Sequence, residues 1–366
     1  MQSFDMPAIY GARREKLRQS MARKNLDALL ISNDKNRFYL SGFELHDPQF
    51  DESAGRLIIT RDGKDWLATD SRYKEAAKKL WPEDRTLIYG GDVARDIAAL
   101  LQKLGARIGI EARATSLYFG ACLQNEGRGI SLEPADGLVE ELRRIKEPCE
   151  IAALEHSFLL NHKLMHWVEN EIAAGHMGGS AEQDLSWQIE KFFRENGAQD
   201  LAFANIVATG RNAAQPHAVP GTDVISSGAP LLIDVGCRAM DYCSDQTRTF
   251  WIGEKPAPVF ARTLALVREA QENAMKIMRP GVPCAKVYAQ ALEVFKNAGV
   301  EKAFNHGLGH GVGLQTHEEP SLSPRSTQAL EAGMTVTVEP GLYFPDWGGV
   351  RWEYTVLVEE NGVRIL

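Results

Sequence analysis

Two short stretches of this chain each place two carboxylates in a hairpin pattern. In LLIDVGCRAMDYCSDQTRTFWIG, residues 231–253, a two-residue loop at Ala239 and Met240 sets Asp234 opposite Asp245. Alternation then puts Thr247 on the Asp245 face. In VTVEPGLYFPDWGGVRWEYTVLV, residues 336–358, a loop centred near Asp346 sets Glu339 opposite Glu353, with Arg351 and Thr355 on the Glu353 face. Opposed carboxylates destabilise a sheet unless something positive lies between them. One acidic residue at a strand end is ordinarily a solvated surface group. Two facing pairs in one chain reverse that expectation.

Between the hairpins, FNHGLGHGVGLQTHEEP, residues 304–320, contains His306, His310 and His317. Its glycines leave the backbone bare, so that a histidine can approach a metal or a substrate closely. A phosphate cradle fits poorly, because no Lys-Ser/Thr follows and the GxGxxG spacing is absent. Asp234, Asp245, His310, Glu339 and Glu353 therefore form a candidate ligand set. Its four carboxylates balance two divalent cations, and oxygen-rich ligation with one imidazole suits Mn, Co, Fe or Zn. Two such cations, about 3.5–4 Å apart, would hold a bridging water as hydroxide and polarise a carbonyl, so hydrolysis is the expected chemistry.

A site of this kind needs a scaffold, and 366 residues suggest two domains. A helix pattern runs through Arg13 to Lys24, followed by apolar runs at Ala28–Ile31, Leu57–Thr60 and Trp66–Thr69. Helical periodicity returns at Val93–Leu104, and a strand pattern follows at Arg107–Glu111. These predict a small mixed α/β domain over residues 1–137. A long helical pattern begins at Leu138, is interrupted by Pro148 and ends at Gly175. The boundary is placed at its start, leaving 138–366 as the second domain. That domain repeats one layout: helices, then a hairpin carrying two carboxylates. The first copy runs from the helix at 181–196 to strands around Ile233 and Thr247. The second runs from helices within 261–278 and 286–297 to strands around Thr337 and Thr355. The duplication is one of pattern, without sequence identity.

Composition narrows the function classes. Hydrophobic residues at 44% and charged residues at 25% are ordinary for a globular enzyme. A net charge of −8 without any Lys/Arg block argues against nucleic acid as a partner. The N-terminal stretch MQSFDMPAIYGARREKLRQS has neither an apolar segment nor a cleavage site, and no long apolar run follows, so a cytoplasmic protein without membrane contact is expected. Five scattered cysteines without a CxxC pair predict thiols rather than disulfides or a thiolate zinc site.

The order Asp, Asp, His, Glu, Glu, within DVG, SDQTRTF, GLGHGVG, THEEP, EPGLY and GGVRWE, closely resembles the pita-bread metallopeptidases. That family includes prolidase, aminopeptidase P, methionine aminopeptidase and the metal-free creatinase. The resemblance covers nearly all of residues 138–366. NRFYLSGF, TDSRY and IGIEA earlier in the chain are similar to the N-terminal domain of the prolidase and aminopeptidase P branch.

The resemblance implies a fold, a reaction and roles. The fold would be an α/β N-terminal domain followed by a pita-bread domain of pseudo-twofold halves. Asp234 would bind one metal, Asp245 and Glu353 would bridge two, and His310 and Glu339 would complete the set, with Mn or Co favoured. Glu339 would also shuttle a proton. His217, in VATGRNAAQPHAVPG, and His317 match histidines that hold substrate and steady the tetrahedral intermediate. Arg351 matches an arginine behind the metals. The reaction would be hydrolysis of the bond before proline in small peptides, of the prolidase or aminopeptidase P type, by a homodimer. An inactive binding protein and a creatinase-like amidinohydrolase are the alternatives, and both are expected to lose ligands that this chain keeps. Tyr354 departs from the pattern, which has an acidic or amide residue there, and puts the support of Glu353 in question. His306 is as readily structural as catalytic, and Tyr343 and Trp347 fit core packing slightly better than a proline pocket. Arg325 is either a partner for the free carboxylate of a dipeptide, if its loop folds over the site, or a solvated loop arginine.

Overall fold

The computed structural model describes residues 4–49 and 52–366; Met1–Ser3, the start of the stretch considered for export, lie outside them. The chain divides into two compact units, Met1–Arg143 and Arg144–Leu366. No helix among the described residues is long and apolar enough to cross a membrane, and the five cysteines form no disulfide among them.

The first unit is built on a mixed six-stranded sheet. Its strands are β1 (Ala28–Ile31), β2 (Gly55–Thr60), β3 (Trp66–Thr69), β4 (Thr86–Ile88), β5 (Arg107–Ile110) and β6 (Ser131–Pro134), in the spatial order β4-β3-β2-β1-β5-β6. β1 is buried along its whole length, as its unbroken apolar sequence requires of a central strand. Six helices belong to this part of the chain: α1 (Met6–Arg23), α2 (Asp34–Ser41), α3 (Lys74–Leu80), α4 (Val93–Leu104), α5 (Leu117–Glu126) and α6 (Glu140–Arg144). α1 starts earlier than its periodicity implies, because Asp5 caps it by accepting from the Ala8 N–H and a proline sits in its first turn. Leu30, Ile58, Ile97, Leu101 and Ile108 are central to the core.

In the second unit, Pro148 opens a helix rather than interrupting one. α7 (Pro148–Ala173) begins on it with a Glu147/Glu150 capping box, since proline lacks only an N–H that the first turn would leave unused. α8 (Glu182–Glu195) follows, then β7 (Asp200–Leu201), β8 (Ile206–Thr209), β9 (Ala229–Val235), β10 (Cys237–Ala239), β11 (Tyr242–Cys243) and β12 (Gln246–Ile252). The second half repeats this course with α9 (Pro258–Ile277), α10 (Cys284–Asn297), β13 (Gly309–Gly311), β14 (Glu318–Leu322) and β15 (Thr335–Val338). It closes with β16 (Gly341–Phe344), β17 (Gly348–Arg351), β18 (Tyr354–Glu359) and β19 (Gly362–Ile365).

The halves correspond closely. Both long helices open on proline, at Pro148 and Pro258. In each half, the residue before the second helix makes an isolated bridge to the stretch preceding the ligand hairpin, Ala181 to Val224 and Pro283 to Ala329. β12-β9-β8 form one sheet and β14-β13-β15-β18-β19 another. Each half has its own core, around Leu164, Ile189, Phe193 and Ile233 in the first and Val267, Val287, Phe295 and Val336 in the second.

Candidate metal centre

The first carboxylate hairpin turns one residue later than its sequence suggests. Met240 and Asp241 carry φ values of 49° and 71°, the left-handed pair that a two-residue type I′ loop requires. Arg238 consequently faces Cys243, and the same register runs on to set Thr247, not Asp245, opposite Asp234. The two aspartates are therefore diagonal neighbours. They still converge, and Asp234, Asp245 and Glu353 offer ligand oxygens all within 4.8 Å of one another.

In the second hairpin, Gly341 pairs with Arg351 and Val338 with Tyr354, so Glu339 stands opposite Glu353. His310 enters from β13, with its Nε2 3.2 Å from Glu339 Oε1 and 3.7 Å from Asp245 Oδ2. The glycines beside it are also required by strand packing, and Gly307 and Gly309 line the same cavity as His310. A Cβ on Gly309 would lie 1.9 Å from the Thr337 carbonyl oxygen, and one on Gly311 2.2 Å from that of Glu319. Thr337 uses the closeness: its Oγ1 accepts from the His310 N–H at 2.9 Å and donates to Glu339 Oε1 at 3.0 Å.

All five groups thus form one cluster, and its electrostatics are those of a cation site. Burial and the repulsion of neighbouring carboxylates, above all Glu353 on Asp245 and Glu339 on Glu353, push the Asp245 and Glu353 carboxyls well above the usual range. Burial also raises Asp234, against the pull of Arg351. Burial works against the charges on Glu339 and His310 as well, but their mutual hydrogen bond prevails, holding Glu339 down at about 2 and raising His310 to about 9. Asp234 Oδ1 and Glu353 Oε1 are buried without a hydrogen-bond partner among the described residues. Orphaned oxygens on crowded, mutually repelling carboxylates fit divalent metal ions.

Arg351 supports the cluster from behind. It is 2% exposed and donates to Asp234 Oδ2 at 2.6 Å, Thr247 Oγ1 at 3.0 Å, Tyr343 OH at 2.8 Å and the Pro216 carbonyl at 3.1 Å. Burial opposes its charge, yet Tyr343, Asp234 and Glu339 hold it firmly protonated.

Four of the five, Asp234, Asp245, His310 and Glu339, line a cavity of about 560 Å³, a size suited to a small ligand. Its lining includes the apolar Phe203, Ile206 and Val219, together with Tyr343 and the histidines His217, His306 and His317. The His317 ring lies 4.2 Å from that of His310, and burial lowers its pKa. His306 Nε2 lies 3.0 Å from Tyr343 OH, so His306 and Tyr343 form one wall. Trp347 instead stacks on Phe344. Arg325 is exposed and is not among the described residues that line the cavity. Tyr354 has a different partner from the one an acidic residue would take. Its ring lies 4.5 Å from the Arg248 guanidinium, which also faces Trp352 and donates to the Glu353 carbonyl.

Some contributors escaped the reading of the sequence. Thr247 donates to Glu353 Oε2 at 2.8 Å, and Thr249 accepts from the Arg351 N–H at 3.1 Å and donates to the Arg351 carbonyl at 2.9 Å. These threonines join the two halves, and the TxT spacing of DQTRTF was their available signal. Glu182, fully buried, accepts from the Thr209 and Gly221 N–H groups and the Asn212 amide. It thereby fixes the loop that carries His217; a lone glutamate at a helix start gave no such indication.

Residues 146–360 match the model of metallopeptidase family M24, and residues 13–145 that of the creatinase/prolidase N-terminal domain. The chain is 33% identical over 353 residues to an uncharacterised peptidase of Bacillus subtilis, covering 96% of each chain. Among solved structures, it is similar to an Xaa-Pro dipeptidase from Bacillus anthracis, with 30% identity, a TM-score of 0.89 and 97% of each chain covered. It is also similar to an X-Pro aminopeptidase from Thermotoga maritima, with 30% identity, a TM-score of 0.81 and 93% and 95% coverage.

Proposed function

Since the chain belongs to metallopeptidase family M24, we propose that it is a dinuclear Xaa-Pro peptidase, hydrolysing the peptide bond on the N-terminal side of proline in small peptides. The observation that carries this reading is the convergence of Asp234, Asp245, His310, Glu339 and Glu353 in one cluster, of which the first four line a cavity. Asp234, Asp245, Glu353, His310 and Glu339 would hold two divalent ions, whose charge the four carboxylates balance. Such metal, when bound, supplies Lewis acidity that activates water and polarises the scissile carbonyl.

The remaining work falls to the chain's own residues. Glu339 would take a proton from the attacking water and pass it to the proline nitrogen as the C–N bond breaks. His217 and His317, which line the cavity, would hold the substrate carbonyl and stabilise the developing oxyanion. Arg351 keeps Asp234 oriented and neutralises part of the cluster's charge. The apolar wall of Phe203, Ile206, Val219 and Tyr343 supplies a surface for a proline ring.

The similarity to an Xaa-Pro dipeptidase and to an X-Pro aminopeptidase supports the proline specificity and leaves the two types as neighbouring readings. A panel of Xaa-Pro dipeptides, Xaa-Pro-Yaa tripeptides and Xaa-Ala controls, assayed with Mn(II) or Co(II), tests the proposal. Turnover of Xaa-Pro substrates alone is expected. Equal turnover of Xaa-Ala, or none with either metal, would overturn it.

A further inference from the structure

Two buried amide side chains, one in each half, grip the ligand hairpins beside the ligands themselves. Asn161 lies in α7 and Gln271 in α9, each thirteen positions beyond the proline that opens its helix. Asn161 is 0% and Gln271 2% exposed. The Asn161 amide donates to the carbonyl of Val235, next to Asp234, at 3.1 Å, and its oxygen accepts from Ser244 Oγ, next to Asp245, at 2.9 Å. Gln271 Nε2 donates to the carbonyls of Val338 and Trp352, at 2.6 and 3.0 Å. Those residues immediately precede Glu339 and Glu353. Each amide thus spans both strands of one hairpin at positions adjoining both of its carboxylates.

We propose that Asn161 and Gln271 are paired positioning residues that set the spacing of the carboxylates in each half before metal arrives. The argument is physical. Buried like charges repel strongly at short range, and the ladder alone resists sliding or splaying weakly where it is interrupted, as it is at Glu339 and Glu353, which lie between named strands. A primary amide can bond to groups on two strands together while adding no charge to compete with a cation. Helix α7 or α9 then acts as a rigid splint along the hairpin. The hydrogen bonds are not copies of each other: Gln271 uses one nitrogen twice, whereas Asn161 uses both ends of its amide. What recurs is the helix position and the placement beside the ligands, which the sequence does not advertise because one residue is Asn and the other Gln.

This inference rests on the metal reading above, and the test separates the two. Metal-stripped wild type, Asn161→Leu, Gln271→Leu and the control Val267→Ala are titrated with Co(II), followed by calorimetry and by visible absorption. Val267 lies on α9 one turn from Gln271 and packs in the core of that half, with an aliphatic side chain that makes no hydrogen bond to the hairpin. Both Leu variants are expected to bind Co(II) about 10- to 100-fold more weakly, the range seen when support behind metal ligands is removed, with an altered ligand-field spectrum. Val267→Ala is expected to lower the melting temperature and leave affinity and spectrum unchanged. Asn161→Ala and Gln271→Met carry the same test should a Leu variant fail to fold. If wild type binds no Co(II), the metal reading falls and the clamps with it. If wild type binds Co(II) and the amide variants match it, or if Val267→Ala loses as much, the clamps alone are overturned.

Discussion

Replacing Arg351 by Met should destabilise the metal-free protein far more than the metal-loaded one. Arg351 is the buried guanidinium against the cluster, paired with Asp234 at 2.6 Å and donating to three further groups. Met keeps much of the volume and removes the charge and every donor. In the metal-free state, four carboxylates then face one another with only His310 to offset them. Removing one partner of a buried ion pair costs about 3–5 kcal/mol, which at about 2–4 °C per kcal/mol for a unit of this size is a fall in Tm of roughly 6–20 °C. Bound divalent cations offset much of the same repulsion, so the loss should shrink when metal is present. Thermodynamic linkage then requires the variant to gain more from metal than wild type does. Calorimetric scans of both proteins, stripped and with saturating Mn(II), measure the two gaps. Arg351→Lys, which retains a charge but not the fork, should fall between them. Equal losses with and without metal would refute the reasoning, since they would mean that Arg351 acts through packing alone.

Other consequences are open to direct measurement. Asp245 and Glu353 have raised pKa values in the folded state, so the folded protein holds more protons than the unfolded one above the ordinary carboxylate range; metal-free stability should fall as pH rises above that range, and Mn(II) should flatten that slope in thermal scans. Glu182→Ala orphans three donors around the His217 loop. It should cost about 2–4 kcal/mol and raise KM in peptide assays with metal content unchanged, and loss of metal instead would contradict that placement. Gly309→Ala drives a Cβ into the Thr337 carbonyl and should abolish turnover and lower Tm, whereas Gly178→Ala, with open space around it, should do neither. Arg325→Ala should leave KM unchanged for both free and amidated Xaa-Pro substrates, and a selective rise for the free dipeptide would bring this exposed side chain back into the site.

The periodic elements were legible because local sequence determines them: β1, β3 and α4 follow their apolar spacing, and the family motifs carry the resemblance on which the pita-bread fold was expected. The Glu339–Glu353 pairing was also legible, because a loop centred on Asp346 admits one register. The first hairpin was not, since choosing between Ala239-Met240 and Met240-Asp241 depends on which residues bear positive φ, and neither dipeptide includes a glycine. Gln271 and Asn161 were beyond reach for another reason. Their partners are backbone carbonyls 67 and 74 residues away, and an amide on a helix carries no mark of such a contact. Tyr354 shows the converse, a departure in sequence whose meaning depends on the stack with Arg248.

The division of the ligands between the halves bears on the order of events during synthesis. Asp234 and Asp245 come from the first half, and His310, Glu339 and Glu353 from the second. Some 119 residues separate Asp234 from Glu353, so at roughly 5–20 residues per second the ribosome needs roughly 6–24 seconds to pass from one to the other. Throughout that interval the nascent chain presents two aspartates without the groups that complete the set. With the proposed ligand set, metal capture would be a late event that follows the meeting of the halves, and a newly made molecule would be catalytically silent until it has folded.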